Sequence, residues 1–243
     1  MSPDGERVIV VDSRGKLLEE YGKLEVQAGK PLHLTLDLDL QQEAIRWFDE
    51  PDEVGAVVAL DPRNGEIRAL VSAPSYDPNL FARRLKREEW QAIVKAPHDP
   101  QRDRPVQNTY SPGSVFKIVM AAAGLAEGVV SEHDSVYCSG SAVIYGRRFR
   151  CWRAGGHGRV DVRGALKHSC DTYFYLLGQR LGIERIARYA RLFGLGEVTG
   201  IELRGENRGL VPDPTWSLKA RKHPWYPGET ISVAIGQGPI LVS

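Results

Sequence analysis

Ser114 and Lys117 stand three residues apart, close enough for one helical turn to set a hydroxyl and an amine on the same face. Tyr110-Ser111-Pro112-Gly113 breaks the chain just before them, and from Val115 to Ala126 every residue except Lys117 is apolar or glycine. A helix apolar on all sides is expected to be buried, with Lys117 inside. Burial without a partner disfavours a charged amine. An amine beside a serine hydroxyl at a helix N-terminus can take the hydroxyl proton, while the helix dipole bears developing negative charge, so the pair is a candidate activated nucleophile. The plainer reading has Ser114 capping the helix and Lys117 reaching out to water.

A second polar triplet, Ser169-Cys170-Asp171, lies between a short helix opened by Asp161 and another expected over 172–181. Ser and Asp at i and i+2 on a tight interhelical turn can point together into a cleft and hydrogen-bond a lysine amine and a substrate amide. Alternatively, both only cap the helix that follows.

The three cysteines and one histidine form Cys138-x12-Cys151-x5-His157-x12-Cys170, between and into these triplets. Gly140, Gly146, Gly155, Gly156 and Gly158 let the segment fold back on itself. Three thiolates and an imidazole suit a closed tetrahedral zinc site, which would brace Ser169 and Asp171 through Cys170. The alternative is a Cys138–Cys151 disulfide with Cys170 left as a buried thiol. His168 is read as structural.

The elements that must position these groups are legible in part. Val8–Val11 and Lys16–Leu18 flank Ser13-Arg14-Gly15 and predict a small hairpin. A short strand is expected at Leu32–Leu36, then a helix over about 40–48, capped by Asp37 or Asp39 and ended by Pro51, with Leu40, Ala44 and Trp47 or Phe48 on one side. The runs 54–60 and 66–72, joined through Asn64-Gly65, predict a second hairpin. Both are apolar on both faces, which places them in the middle of a sheet covered by helices. The loop-rich stretch from Pro74 to Tyr110, with a polar helix near 87–92, is expected to frame a site.

At 243 residues and 42% hydrophobic, the chain has material for one large domain, or one and a half ordinary ones, with a core. Thirty-two Lys+Arg against 31 Asp+Glu leave a net charge of +1, which excludes the electrostatic footprint of a non-specific nucleic-acid binder. Its apolar runs fall far short of a bilayer span, and its first residues lack a signal-peptide pattern.

The stretches Tyr110-Ser-Pro-Gly-Ser-Val-Phe-Lys117 and Ser169-Cys-Asp171-Thr-Tyr-Phe-Tyr175 resemble the class B penicillin-binding proteins, and most resemble the penicillin-binding protein 2 group of cell elongation. Leu34–Gln41, Ala59–Gly65, Phe193–Gly196, Thr199–Ile201 and Ile235-Gly-Gln-Gly238 follow the same family order. The resemblance implies an α+β transpeptidase fold, helices on an antiparallel sheet, with no cofactor for catalysis. It implies that Ser114 attacks the D-Ala-D-Ala carbonyl of a peptidoglycan stem peptide and forms an acyl-enzyme that a neighbouring strand's amine resolves into a cross-link. Lys117 would accept the proton, Ser169 would relay it to the leaving amine, Asp171 would orient Lys117 and substrate, and the Ser114 N–H would form half the oxyanion hole. β-Lactams would acylate Ser114. Some penicillin-binding protein 2 relatives are similar in holding a metal in the Cys138–Cys170 region, with carboxylates at some ligand positions. A membrane glycan polymerase partner and a membrane-anchored parent facing the periplasm are also implied. The rivals are a β-lactam sensor or β-lactamase of the same fold, and a catalytically inactive scaffold of the elongation machinery.

One departure stands out. The family's Lys-Ser/Thr-Gly triplet is absent, since the only Thr-Gly, Thr199-Gly200, follows Val198. The expectation is therefore a fragment: residues 1–31 as the remnant of an N-terminal non-catalytic domain, and 32–243 as a transpeptidase domain truncated before that strand, with little activity alone.

Overall fold

In a computed structural model, residues 7–23, 30–48 and 53–243 are described. The first hairpin forms as expected, β1 (Arg7–Val11) against β2 (Leu17–Lys23), antiparallel. Asp12 closes its turn, its side chain accepting from the N–H groups of Arg14 and Lys16.

Leu32–Leu36 is not a strand. It is tied to the next hairpin by the Asp37 N–H to the Arg68 carbonyl, the Thr35 hydroxyl to the Ile67 carbonyl and the Arg68 guanidinium to the Thr35 carbonyl, too few main-chain bonds for a ladder. Helix α1 (Leu38–Arg46) follows, and Asp37 rather than Asp39 caps it by accepting from the Leu40 N–H at 3.0 Å. Ala44 is its buried residue, Phe48 turns inward, and Leu40 and Trp47 are exposed. Pro51, read as the helix stop, lies outside the described residues.

β3 (Gly55–Leu60) and β4 (Ile67–Ala73) pair antiparallel around Asn64-Gly65. The expected central position is corrected: among the described residues this is a two-stranded sheet, with Val58 and Leu60 exposed. α1 and the short α3 (Arg104–Gln107) pack on it, and α2 (Arg87–Lys95) lies between them in sequence. The unbroken apolar runs reported that both faces could be covered, not that they are.

The core is built from three helices. A tight turn over 113–116 runs into α4 (Lys117–Ala126). Two further hairpin-like pairs, β5 (Val136–Cys138) with β8 (Gly158–Val160) and β6 (Ser141–Ile144) with β7 (Arg147–Arg150), lie on one side. α5 (Val162–Lys167) starts at Asp161, which accepts from the Gly164 N–H at 2.7 Å. α6 (Asp171–Leu192) contains a break at Gly182, so its first half ends where the sequence predicts, at Leu181. The short α7 (Pro214–Trp216) and then α8 (Pro227–Val233) complete the set.

α4 and α8 both pack on α6, burying Phe116, Met120, Phe174, Leu177, Ile231 and Val233 between them. The helix expected to be buried all round is not: Val115, Ile118 and Leu125 form an exposed stripe, while Lys117 is 1% exposed. No helix among the described residues is long and apolar enough to cross a membrane.

Candidate active site

Lys117 ends in a cage of oxygens. Its Nζ donates to Asp171 Oδ1 at 2.6 Å, Ser169 Oγ at 2.9 Å, the Ser169 carbonyl at 3.1 Å and Ser114 Oγ at 3.2 Å. The Ser169 hydroxyl donates to Ser114 Oγ at 2.8 Å, which closes a ring of three side chains. The amine also lies 5.6 Å from the Phe174 ring centroid. The amine is therefore interior but not unpartnered. Four acceptors for three ammonium protons mean at least one bond is shared, so the group is constrained from every side. Both plainer readings, a cap at Ser114 and a lysine reaching water, lose to this geometry.

Ser114 itself is exposed and faces a cleft of about 610 Å³ lined also by Trp152, Ser169, Asp171, Tyr175 and Gln237. It sits in the first turn before α4, where the backbone N–H groups have no intrahelical acceptor. The Gly113 N–H is already taken by the Gly236 carbonyl at 2.9 Å. Gly236 has φ +70°, and a Cβ there would run into the Gly113 carbonyl, so only glycine lets these two turns touch. The bridge pairs Tyr110–Val242 and Leu210–Leu241 lie beside this contact at the Ser114 turn.

The second triplet forms the opposite wall. Ser169 is a non-glycine residue at φ +49°, a costly conformation that throws its hydroxyl and carbonyl together toward Lys117. Asp171 starts α6, and its second oxygen, Oδ2, accepts from the Trp152 N–H at 3.0 Å. The Trp152 indole N–H donates to the carbonyls of His168 and Ser169, both at 3.1 Å. Sequence reasoning missed Trp152 because its partners are main-chain carbonyls that no side-chain motif announces.

Cys138, Cys151, His157 and Cys170 come together as expected, with all four ligand atoms within 4.8 Å of one another. Cys138 ends β5, Cys151 follows β7, His157 precedes β8 and Cys170 caps α6, so strand pairing and the helix start gather the set. His157 Nδ1 lies 3.7 Å from Cys138 Sγ and 3.6 Å from Cys151 Sγ. A tetrahedral zinc with ordinary Zn–S and Zn–N bonds separates S from N by about 3.6 Å, so the donors fit. All three cysteines are free thiols in this structure. His157 Nε2 is buried with no partner, and metal on Nδ1 would fix the ring proton there.

Burial pushes the Cys138 thiol up, but Thr172, the Gly140 and His157 backbone N–H groups and the His157 ring outweigh it and bring it down to about 6. Burial pushes the Cys170 thiol up to about 12, helped by the neighbouring Cys138 and Cys151. His168 stacks on His157 at 5.8 Å between centroids and stays outside the cluster.

Residues 55–243 match the family described as "Penicillin binding protein transpeptidase domain". The chain is 39% identical over 236 residues to the peptidoglycan D,D-transpeptidase MrdA of Acinetobacter baumannii, covering 96% of this chain and 35% of that protein. It thus spans about a third of the length of the curated relatives it matches. Among solved structures, the complex of penicillin-binding protein 2 with MreC from Helicobacter pylori superposes with a TM-score of 0.84 at 31% identity, over 98% of this chain and 45% of that one. A structure described as showing the coordination of polymerization and crosslinking by a peptidoglycan synthase complex gives 0.79 at 41% identity, over 98% and 44%.

Proposed function

The chain belongs to the penicillin-binding protein transpeptidase family, and from that premise we propose that it carries the acylating centre of a peptidoglycan D,D-transpeptidase. The single observation that supports this most is the ring of Ser114, Lys117 and Ser169 held by Asp171. Ser114 Oγ attacks the D-Ala-D-Ala carbonyl of a stem peptide. The Oγ–C bond forms as the Oγ–H proton passes to Nζ in its neutral form, directly or through Ser169 Oγ. As the carbonyl re-forms and the C–N bond breaks, Ser169 Oγ hands its proton to the departing amine and takes one back from Lys117 Nζ, 2.9 Å away, leaving the acyl group on Ser114 and the lysine amine neutral again. A second peptide's amine reverses these steps and resolves the acyl-enzyme into a cross-link. Asp171 orients Lys117 throughout. The Ser114 N–H is the proposed first oxyanion donor.

No cofactor takes part in these steps. We place a structural zinc on Cys138, Cys151, His157 and Cys170, where it would tie the loop after β7 to the start of α6; the mutual donor distances support this. The transpeptidase unit is assigned to residues 32–243, acting outside the cytoplasmic membrane beside a membrane glycan polymerase. The synthase-complex structure that the chain resembles supports that partner. Penicillin labelling of the protein as its gene encodes it tests the reading: a long-lived adduct on Ser114 supports a transpeptidase, rapid turnover points to a β-lactamase, and no adduct to a scaffold.

A further inference from the structure

Trp152 is a cleft residue that is 66% exposed, so packing does little to hold it in place. Its two N–H groups nonetheless both turn inward. The indole N–H meets the carbonyls of His168 and Ser169, and the backbone N–H meets Asp171 Oδ2. Two of the acceptors that hold the Lys117 amine, the Ser169 carbonyl and the Asp171 carboxylate, are thus themselves held by this one residue. The turn it grips is the strained one, with Ser169 at φ +49°. The His157 ring, 5.3 Å away between centroids, backs the indole from the side of the cysteine cluster.

We propose that Trp152 is a positioning residue for Ser114 acylation: its indole N–H keeps the Ser169 turn in the conformation that presents the Ser169 carbonyl and hydroxyl to Lys117. The proposal rests on the acyl-transfer reading above. Trp152→Phe keeps an aromatic ring and the backbone N–H to Asp171 but deletes the indole donor; Trp152→Ala removes the ring face as well.

The experiment measures penicillin acylation of the gene-encoded protein, resolved into a pre-acylation dissociation constant and an acylation rate constant. It is joined to amide and indole hydrogen exchange on this chain. In Trp152→Phe the rate constant should fall about tenfold, as expected for a lost hydrogen bond to a polar network, with the dissociation constant unchanged. Trp152→Ala should add a weaker dissociation constant. In the wild type, the Trp152 indole N–H should exchange slowly despite the exposed ring. In Trp152→Phe, exchange at the Ser169 and Cys170 amides, which close the end of α5, should rise about tenfold. A wild-type rate constant in Trp152→Phe, or an indole exchanging as a free one does, overturns the proposal. A wild type that is never acylated overturns the acyl-transfer reading, and the exchange data then decide by themselves whether Trp152 holds the turn.

Discussion

Asp171→Ala strands a charge. The carboxylate lies 2.6 Å from the Lys117 amine, and Lys117 is 1% exposed. Removing one member of a buried pair costs about 3–5 kcal/mol when the other is left bare. Lys117 keeps the two serine hydroxyls and the Ser169 carbonyl, so that part falls to about 2 kcal/mol. The lost acceptor for the Trp152 N–H adds about 1 kcal/mol, and the missing negative charge at the start of α6 about 0.5 kcal/mol. The total, about 3.5 kcal/mol, corresponds to a fall in Tm of about 10 °C for a chain of this size. Urea unfolding gives the free energies, and the companion variant Lys117→Met closes a double-mutant cycle. With the amine gone, nothing is stranded, so the double variant should be about 2 kcal/mol more stable than the sum of the single losses predicts. Additivity within about 0.5 kcal/mol, or an Asp171→Ala protein as stable as the wild type, refutes the pairing.

Other outcomes follow from the same coordinates. Ser114→Ala removes an exposed hydroxyl and should change stability by less than about 0.5 kcal/mol while abolishing penicillin adducts, read by urea unfolding and intact-mass spectrometry. Gly236→Ala forces a Cβ against the Gly113 carbonyl at φ +70° and should cost about 2 kcal/mol or more, with acylation slowed because the Ser114 turn is displaced. Protein purified without added zinc should carry zinc at one ion per chain by elemental analysis, and Cys170→Ala should lose it. A metal-free wild type contradicts the site. Hydrogen bonds from the Arg63 side chain and N–H hold Asp61 down at about 2, and the Arg83 guanidinium does the same for Glu89. A lowered carboxylate contributes stability above the ordinary carboxylate range and loses it as pH falls from about 4 to about 2. Protection against amide exchange, taken relative to each amide's intrinsic rate at that pH, should therefore fall in the 61–66 turn and at the start of α2 across that window and not above it.

The parts of this fold that were legible from sequence are those where one residue type has a single physical use. A lysine in a run of apolar residues has to be partnered, and Lys117 is. Asn64-Gly65 has to turn, and Asp161 has to cap. Cysteine and histidine spacing announced that Cys138, Cys151, His157 and Cys170 would gather, because few other arrangements need four such side chains in one looped segment.

Where the reading failed, the missing information was tertiary. Leu32 to Leu36 alternates like a strand, yet nothing in the alternation says whether a neighbour's main chain will meet it in register, and here β4 offers it too few bonds. Val115, Ile118 and Leu125 are as apolar as Val119 and Met120, but which side of α4 is covered depends on α6, not on α4. Trp152 acts through carbonyls at 168 and 169, and a carbonyl carries no residue identity to read. Gly236 was visible only as part of a family stretch; its use, letting two backbones touch, needed both chains in place.

The central claim is that the oxygen at position 114 becomes an ester with the help of the amine at 117. Incubating the gene-encoded protein with a penicillin, digesting it and sequencing the modified peptide by mass spectrometry tests this most directly. The account predicts one covalent adduct, on Ser114, absent from Lys117→Met. An adduct on another residue with Ser114 unmodified, or equal labelling when the lysine is gone, would contradict it.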